Sequence, residues 1–306
     1  MNRLLVCLKA TRAPFLTATA VPVVLGSVMA WRKTGVFNWL FFWFTFLGIA
    51  LIHIGTNLAN DYFDHKTGND DINTTPTPFS GGSRVIQNKE MSAVGVLYFA
   101  LVCFSLGSLV GLYLNFLIGT NVVLGLGLFG VLLAFFYTAF PIKIGYRGFG
   151  ELIVGFCFGP LTVLGAYYVQ AKELSILPVI AAIPVGILVL LILYINEFPD
   201  YFADKQVNKN TIVVLLGKDK AVYLYYVFFA VIYVFTALAI VLKVLPIFCL
   251  PVFFTVPLAL KAARNLRKNF ENIPHLLFSN AATIKLHLII GIILSLGFVL
   301  DRVIKG

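Results

Sequence analysis

Two stretches decide the fold of this chain: NLANDYFDHKTGND at residues 57–70 and NEFPDYFADK at residues 196–205. Each follows a long apolar run and contains an asparagine, an aspartate four residues later and a second aspartate within about one further turn. Because residues three and four apart are neighbours on a helix, each trio shares one helical face. The two trios are Asn57, Asp61 and Asp64, and Asn196, Asp200 and Asp204. Their matching form in the two halves indicates an internal repeat.

The composition around these stretches is that of a membrane protein. Of the 306 residues, 60% are hydrophobic and 12% are charged, and the mean hydropathy is +0.94. A soluble domain has roughly 25% charged residues, so this chain has too little polar surface to coat a soluble globule. We therefore expect an all-α integral membrane protein, folded as a single transmembrane domain over residues 1–306.

Apolar runs of about 20 residues, the length that crosses the hydrocarbon layer, predict the helices. Nine runs qualify, near residues 14–31, 39–60, 94–116, 121–140, 149–169, 176–196, 221–242, 245–260 and 284–300. Only two connections are long, residues 61–93 and 197–220. These are the predicted motif loops, and each begins among the aspartates.

The basic residues predict the orientation in the membrane. With nine spans, the side that holds the N-terminus and both motif loops receives 17 of the 23 Lys and Arg residues. The positive-inside rule places that side in the cytoplasm. The net charge of +10 is then explained by contact with anionic lipid, and not by nucleic acid. We expect a multi-pass protein of the cell membrane whose N-terminus and active-site loops are cytoplasmic.

The two trios contain ligands that suit a hard cation. An aspartate at the centre of a membrane helix costs about 3 kcal/mol on insertion scales, and facing aspartates would also repel one another. A hydrated helix end with bound metal resolves both problems, and oxygen ligands without His or Cys select Mg²⁺. The alternative is that each trio is an ordinary solvated helix end, and the matching form of the two trios favours the metal site.

Charge balance predicts that basic side chains complete such a site. A diphosphate brings about −3, four aspartates about −4 and two Mg²⁺ ions about +4, which leaves roughly −3 to neutralise. The candidates are Arg84 in a Gly-rich stretch, Lys143 after Pro141, and Lys209 after the second trio. Each could instead be an ordinary basic residue of a cytoplasmic loop.

Four further segments accompany the two aspartate stretches. They are RAPF from Arg12, GGSRVIQ from Gly81, FYTAFPIKIGYRGFGE from Phe136 and FGPLTVLGAYYVQ from Phe158. Together the six segments resemble the UbiA superfamily of intramembrane prenyltransferases, over essentially the whole chain. The last two segments look most like the menaquinone-type branch, which contains 1,4-dihydroxy-2-naphthoate prenyltransferase.

The resemblance implies a nine-helix fold around a central cavity that opens sideways to lipid and is capped by the motif loops. It implies two Mg²⁺ ions on the diphosphate of an isoprenyl diphosphate donor. The implied metal ligands are Asn57, Asp61, Asp64, Asn196, Asp200 and Asp204, and the implied basic contacts of the diphosphate are Arg84, Lys143 and Lys209. The implied reaction is ionisation of the allylic diphosphate and transfer of the polyprenyl group to a hydrophobic aromatic acceptor in menaquinone-like quinone biosynthesis.

Two residues are candidates for the chemical step. Tyr137, one turn before Pro141, could stabilise the allylic cation with its ring, or could be one of several tyrosines at the membrane interface. His53, one turn before Asn57 on the same face, could contact or deprotonate the acceptor. The alternative for His53 is a buried, hydrogen-bonded histidine.

Other functions fit parts of this pattern. Within the enzyme class, the acceptor could be another quinone precursor or the glyceryl phosphate of archaeal lipids. A membrane transporter also has repeats and intramembrane acids, but its polar residues would lie near the midplane. Here the carboxylates cluster at one end of their helices, which favours the enzyme.

Overall fold

The computed structural model describes residues 3–305, and the only β-pairing in that range is an isolated bridge between Arg147 and Asn210. The first helices are α1 (Arg3–Ala10), α2 (Thr17–Thr34), α3 (Trp39–Lys66), α4 (Asn69–Ile72), α5 (Ala93–Ile118), α6 (Val122–Phe135) and α7 (Gly150–Phe156). The later helices are α8 (Thr162–Ala171), α9 (Ile176–Ala181), α10 (Ile183–Gln206), α11 (Ile212–Leu216), α12 (Lys218–Val241), α13 (Val256–Asn269) and α14 (Ile273–Lys305). A π-helical turn (Cys157–Leu161) joins α7 to α8, and 3₁₀ turns (Ala13–Leu16, Ile144–Tyr146, Ile247–Thr255) precede α2, α7 and α13.

Eight helical segments within residues 3–305 are long and apolar enough to cross a membrane. The predicted all-α membrane fold is therefore confirmed, but nine full-length spans are not observed. The fourth predicted span, 121–140, is reduced to α6, whose 14 residues reach about 21 Å against a hydrocarbon thickness of about 30 Å. The remaining residues form turns that lead to Pro141, and proline disfavours helical backbone in the residue before it.

The helices that carry the two trios extend further than the hydropathy predicts. α3 continues to Lys66 and α10 continues to Gln206. A helix does not need an apolar environment, so it can continue past the edge of the hydrocarbon layer. All four trio aspartates therefore lie on helices, in agreement with their predicted helical faces, but the connecting segments begin later than the predicted residues 61 and 197.

Central packing involves α10, because most of its apolar side chains are buried, including Tyr194, Ile195 and Phe198. Glycines allow its neighbours to approach closely: a Cβ on Gly159 would lie only 2.5 Å from the Cα of Gly186 in α10. The outer helices expose large apolar side chains, as a lipid environment requires. The result is a helical bundle with a packed interior and an apolar outer surface.

Candidate active site

The first trio lies at the C-terminal end of α3, and its Asp61 is enclosed by two other segments. Asp61 is buried and accepts hydrogen bonds from the backbone N–H of Ser83, at 3.2 Å, and from the Ser83 hydroxyl. The guanidinium of Arg12 forms an ion pair with the same carboxylate. The GGSR loop and the segment before α2 therefore both close over Asp61.

Asp64, almost one turn further along α3, is held by three side chains. The Tyr146 hydroxyl donates to Oδ1 at 2.6 Å, and Nδ2 of Asn60 donates to Oδ2 at 3.1 Å. Nζ of Lys209 donates to the same Oδ2 at 2.9 Å. Since Lys209 follows the second trio in the chain, this last contact joins the two halves of the molecule.

The second trio lies at the C-terminal end of α10 and takes partners from the first motif loop. Nδ2 of Asn73 and the N–H of Gly81 donate to the carboxylate of Asp200, at 2.8 and 3.1 Å. Nδ2 of Asn69 donates to Asp204 at 2.9 Å. The loop after α3 therefore covers the aspartates of α10. This contact places the two motifs face to face, as expected for an internal repeat.

Lys209 lies between the two trios. Its Nζ is 2.9 Å from Asp64 and 3.6 Å from Asp204, and its side chain is only 14% exposed. Burial lowers the pKa of Lys209, but the nearby Asp204 and Asp64 outweigh burial and raise this pKa well above its ordinary value. The ammonium therefore stays charged at neutral pH, and the two helix ends converge on one cation.

The other two predicted basic contacts lie near the carboxylates without pairing with them. Arg84 donates to the backbone carbonyl of Asp70. Nζ of Lys143 lies 3.7 Å from the centre of the Phe140 ring and 4.7 Å from that of the Tyr146 ring. Because Tyr146 binds Asp64, Lys143 is one side chain away from the first trio. The role of Arg84 and Lys143 as diphosphate contacts stays a prediction.

Two residues of the site, Arg12 and Asp70, were not predicted as site residues from the motifs. Arg12 meets Asp61 from a left-handed backbone conformation, φ 51°, which no sequence pattern indicates. Asp70 is buried, and burial together with the charges of Asp64 and Asp61 raises its pKa well above the ordinary value. The Gly-Gly pair was the available sequence signal that a loop passes close to Asp70. At Gly82, φ +76°, a Cβ would lie 2.7 Å from an Asp70 carboxylate oxygen.

An apolar cavity of about 390 Å³ lies among α3, α5, α6 and the π-turn before α8, and both predicted catalytic residues line it. Burial raises the pKa of Tyr137 well above its ordinary value; the Lys209 ammonium opposes the shift, and the carboxylates of Glu197 and Glu151 add to it. Nδ1 of His53 lies 2.9 Å from the Thr19 hydroxyl oxygen. Tyr137 thus links the cavity to the charged cluster, and His53 is both hydrogen-bonded and on the cavity wall.

The donor set fits a hard cation such as Mg²⁺. The side chains of the two trios offer carboxylate and amide oxygens, and Oδ1 of Asn69 is buried beside them without a hydrogen-bond partner. Across residues 3–305, no three His, Cys, Asp or Glu side chains are arranged to hold a metal ion by themselves. Mg²⁺ suits such a site because it usually takes one or two carboxylates and completes its shell with water and phosphate oxygens.

The fold and the site together define a polytopic membrane protein with a carboxylate-rich centre beside an apolar cavity. The chain matches the model of the UbiA prenyltransferase family over residues 19–289. This chain therefore belongs to the UbiA prenyltransferase family, and the resemblance seen in the motifs is confirmed. The chain is a prenyltransferase and a multi-pass membrane protein, which removes the transporter alternative.

Individual relatives agree with this assignment. The chain is 31% identical over 291 residues to the 1,4-dihydroxy-2-naphthoate octaprenyltransferase of Bacillus subtilis (strain 168), covering 95% of this chain and 91% of that protein. It is 33% identical over 247 residues to the protein of the same name from Mycobacterium tuberculosis (strain H37Rv), covering 80% of each. A solved structure of a UbiA homolog from Archaeoglobus fulgidus bound to GPP and Mg²⁺ matches with a TM-score of 0.61 at 14% identity, covering 94% of this chain and 98% of that one.

Proposed function

We propose that this chain, as one transmembrane domain, transfers a polyprenyl group from an isoprenyl diphosphate to a naphthoate-type aromatic acceptor, in a Mg²⁺-dependent reaction. The acceptor class is supported by the two relatives named 1,4-dihydroxy-2-naphthoate octaprenyltransferase. The donor class and the metal are supported by the homolog bound to GPP and Mg²⁺. The excess of basic residues on the motif side supports a cytoplasmic position of the site in the cell membrane.

The observation that carries this proposal is the convergence of both trios on Lys209. Asp64 of α3 and Asp204 of α10 contact the same ammonium group, at 2.9 and 3.6 Å. A cation held between carboxylates from two helices is the arrangement expected where a diphosphate and metal ions are to be bound. Tyr137 connects this centre to the cavity, which is apolar and large enough to hold part of a prenyl chain.

The six trio residues are the proposed metal ligands. Two Mg²⁺ ions, when bound there, would neutralise the charge that develops on the leaving diphosphate. Lys209 and Arg12 already lie against the aspartates and would turn toward the diphosphate oxygens as metal replaces them there. Arg84 and Lys143, in the surrounding loops, would bind the outer oxygens of the diphosphate.

The cavity residues are proposed to act on the prenyl group and the acceptor. Apolar walls exclude water, which would otherwise capture the allylic cation. The ring of Tyr137 offers its π face to that cation at the end nearest the diphosphate. His53 has Nδ1 held by Thr19, so Nε2 is the ring nitrogen available to accept a proton from an acceptor hydroxyl. For a naphthoate acceptor, the new C–C bond at the carboxylate-bearing carbon would be followed by loss of CO₂.

Transfer assays on the purified protein in lipid vesicles test this proposal. We expect product and diphosphate from an isoprenyl diphosphate and 1,4-dihydroxy-2-naphthoate with Mg²⁺, and neither product in EDTA. Asp61→Asn and Asp200→Asn should each reduce turnover by about 100-fold or more, because each removes a negative ligand. Asp219→Asn, an exposed carboxylate at the start of α12, is the matched control and should retain activity.

Distinct results would contradict distinct parts of the proposal. Normal turnover in Asp61→Asn and Asp200→Asn would refute the site. Transfer to glyceryl phosphate or to another quinone precursor, with no naphthoate product, would refute the acceptor while leaving the site intact.

A further inference from the structure

A basic pocket lies between α13 and α14, away from the candidate active site. It has a volume of about 510 Å³ and is lined by Lys261, Arg264, Lys268, His275 and Phe278, together with Asn265 and Pro274. Nothing in the proposed reaction uses these residues. The pocket therefore needs its own explanation.

The pocket exists because α13 is strongly amphipathic. Ala259, Ala262 and Leu266 are buried against the bundle, whereas Lys261, Arg264 and Lys268 are exposed on the opposite side. The spacing of these three cations, i, i+3 and i+7, places them on one helical face. In the part of the chain that the structure describes, none of the three is within ion-pair distance of a carboxylate.

Glu271, the carboxylate nearest to these cations in the sequence, is directed elsewhere. It lies in the turn between α13 and α14 and pairs with Lys218 at 3.5 Å. Nζ of Lys218 in turn lies 4.9 Å from the centre of the Phe202 ring, next to the second trio. The pocket is therefore unneutralised, and it lies at the same end of the bundle as the aspartates.

The pocket lies near the C-terminal end of α13, within reach of the headgroup layer expected at that end of the helix. Lys261 is eight residues before the end of α13 at Asn269, which corresponds to about 12 Å along the helix. The polar region of a bilayer adds roughly 5–8 Å on each side of the hydrocarbon core, and lysine stems can extend several ångströms toward it. All three cations can therefore reach the level of lipid phosphates.

One face of α14 leads from the pocket past a further exposed cation, Lys285, to an apolar track formed by Ile289, Ile292 and Leu296. Phe278, Ile289, Ile292 and Leu296 are exposed on α14. They share one helical face with the exposed Lys285, which lies between Phe278 and Ile289. Nζ of Lys261 lies 5.1 Å from the centre of the Phe278 ring, so charge and apolar surface meet at the pocket. A ligand with an anionic head and apolar tails is complementary to both.

We propose that the pocket between α13 and α14 binds the phosphate headgroup of an anionic phospholipid, whose acyl chains lie along the exposed face of α14. Three uncompensated cations around a concave site supply the charge, and the track below supplies the tail contact. Basic pockets between membrane helices on the positive-inside face are suited to such headgroups. This site is independent of the proposed reaction, and it binds a lipid that is not consumed.

Lipid titration of the purified full-length protein in neutral detergent tests this site. The probes are phosphatidylglycerol, phosphatidylcholine and sodium phosphate, and the readouts are the thermal unfolding temperature and retained lipid in native mass spectrometry. Ligands that bind the folded state raise the unfolding temperature. We expect phosphatidylglycerol alone to raise it, with an effect that weakens at high salt.

Two triple variants distinguish a built site from general charge attraction. K261Q/R264Q/K268Q should lower the affinity for phosphatidylglycerol by about 100-fold, because each basic residue near anionic lipid contributes roughly a five-fold factor. K66Q/K205Q/K220Q removes three exposed lysines at the same end of the bundle and should bind normally. Glutamine preserves helix propensity, and retained lipid can be read even if the pocket variant is less stable.

Three results would overturn the proposal. Equal lipid affinity in the pocket variant and the unmodified protein would refute the site. An equal loss of lipid affinity in both triple variants would show that net charge alone attracts the lipid. A stabilisation by sodium phosphate as large as that by phosphatidylglycerol would make it a free-phosphate site.

Discussion

Tyr146 shows at the scale of one residue how the carboxylates are oriented before any metal binds. Its hydroxyl donates to Asp64 at 2.6 Å and lies 2.9 Å from the Thr67 hydroxyl oxygen. Lys143 and Lys209 lie over its ring, with Nζ to ring-centre distances of 4.7 and 5.5 Å. One aromatic side chain thus fixes the direction of a proposed ligand and packs against two proposed diphosphate contacts.

Tyr146→Phe should weaken Mg²⁺ binding without disrupting the fold. The ring contacts remain, but Asp64 loses the donor that orients it, and such losses typically cost 10- to 100-fold in metal affinity or activity. The measurement is the Mg²⁺ concentration that gives half-maximal transfer. Tyr233→Phe, which removes a 2.8 Å contact with the Thr255 hydroxyl far from the trios, is the control. An unchanged Mg²⁺ requirement in Tyr146→Phe would argue against Asp64 as a ligand.

Asp70→Asn should change the pH dependence of stability. Burial and the neighbouring Asp64 and Asp61 raise the pKa of Asp70 above its ordinary value, so its charged form is penalised in the folded state. In EDTA, the variant should therefore be more stable than the unmodified protein at pH 7 to 8. The difference should shrink as pH falls toward the ordinary carboxyl value of about 4, where the side chain is protonated in both states.

The thermal unfolding temperature between pH 4 and 8 measures this effect. Asp219→Asn is the control, because Asp219 is exposed on α12 and takes part in no ion pair among the described residues. A constant difference between Asp70→Asn and the unmodified protein across this range would contradict the interpretation.

Helix periodicity was sufficient to predict which residues of the trios share a face. It could not predict Arg12, Asn69 or Asn73 as partners of the aspartates, because those contacts depend on loop conformation. Gly82 illustrates the reason: the loop reaches Asp61 and Asp70 only through a left-handed backbone with no room for a Cβ. Such close approaches are properties of the folded loop and have no sequence period.

At the scale of helices, hydropathy predicted where most spans lie but not where they end. It detects the apolar part of a helix, so it missed the polar turns of α3, α10 and α13 and the whole of the short helix α1. It also could not distinguish a continuous helix from α7 and α8 joined by a π-turn, since both are apolar. That π-turn, Cys157–Leu161, contributes to the cavity wall, as π-turns often do at functional sites.

Gly159 within this π-turn tests the packing of helices. A Cβ there would lie 2.5 Å from the Cα of Gly186, so Gly159→Ala must separate the π-turn from α10. We expect a loss of about 2–3 kcal/mol in the free energy of unfolding. Gly165→Ala is the matched control, because nothing lies within 4 Å of the added Cβ, and its effect should stay within about 1 kcal/mol and favour the helix. Reversible denaturation in mixed micelles compares the two; equal stabilities would contradict the proposed close contact.

At the scale of the whole molecule, the two halves differ in packing. The large core around α10, α12 and α14 is closely packed, whereas the cavity lies on the side of α3, α5 and α6. The family could be predicted from the sequence because the six motif segments together surround the site. The size of the cavity could not, because volume depends on how helices tilt and not on which residues line them.

The length of the cavity should limit the length of the prenyl chain it accepts. On α3 the lining runs from Thr56 near the trio to Phe44, which is 12 residues or about 18 Å along the helix. On the antiparallel helix α5, Gly111 lines the end far from the aspartates, and no atom lies within 4 Å of its added Cβ. A large side chain there would shorten the space without touching the charged centre.

Gly111→Phe should therefore raise the preference for a short donor over a long one by about 10-fold or more, measured as the ratio of kcat/KM values for geranyl and octaprenyl diphosphate. Turnover of the short donor should remain, because the aspartates, Lys209 and Tyr137 are unaffected. Gly125→Phe, on α6, also adds a ring in open space but outside the cavity lining, and it should leave the ratio unchanged. If both variants shift the ratio equally, or if Gly111→Phe does not shift it, the prenyl chain does not occupy this cavity to its far end.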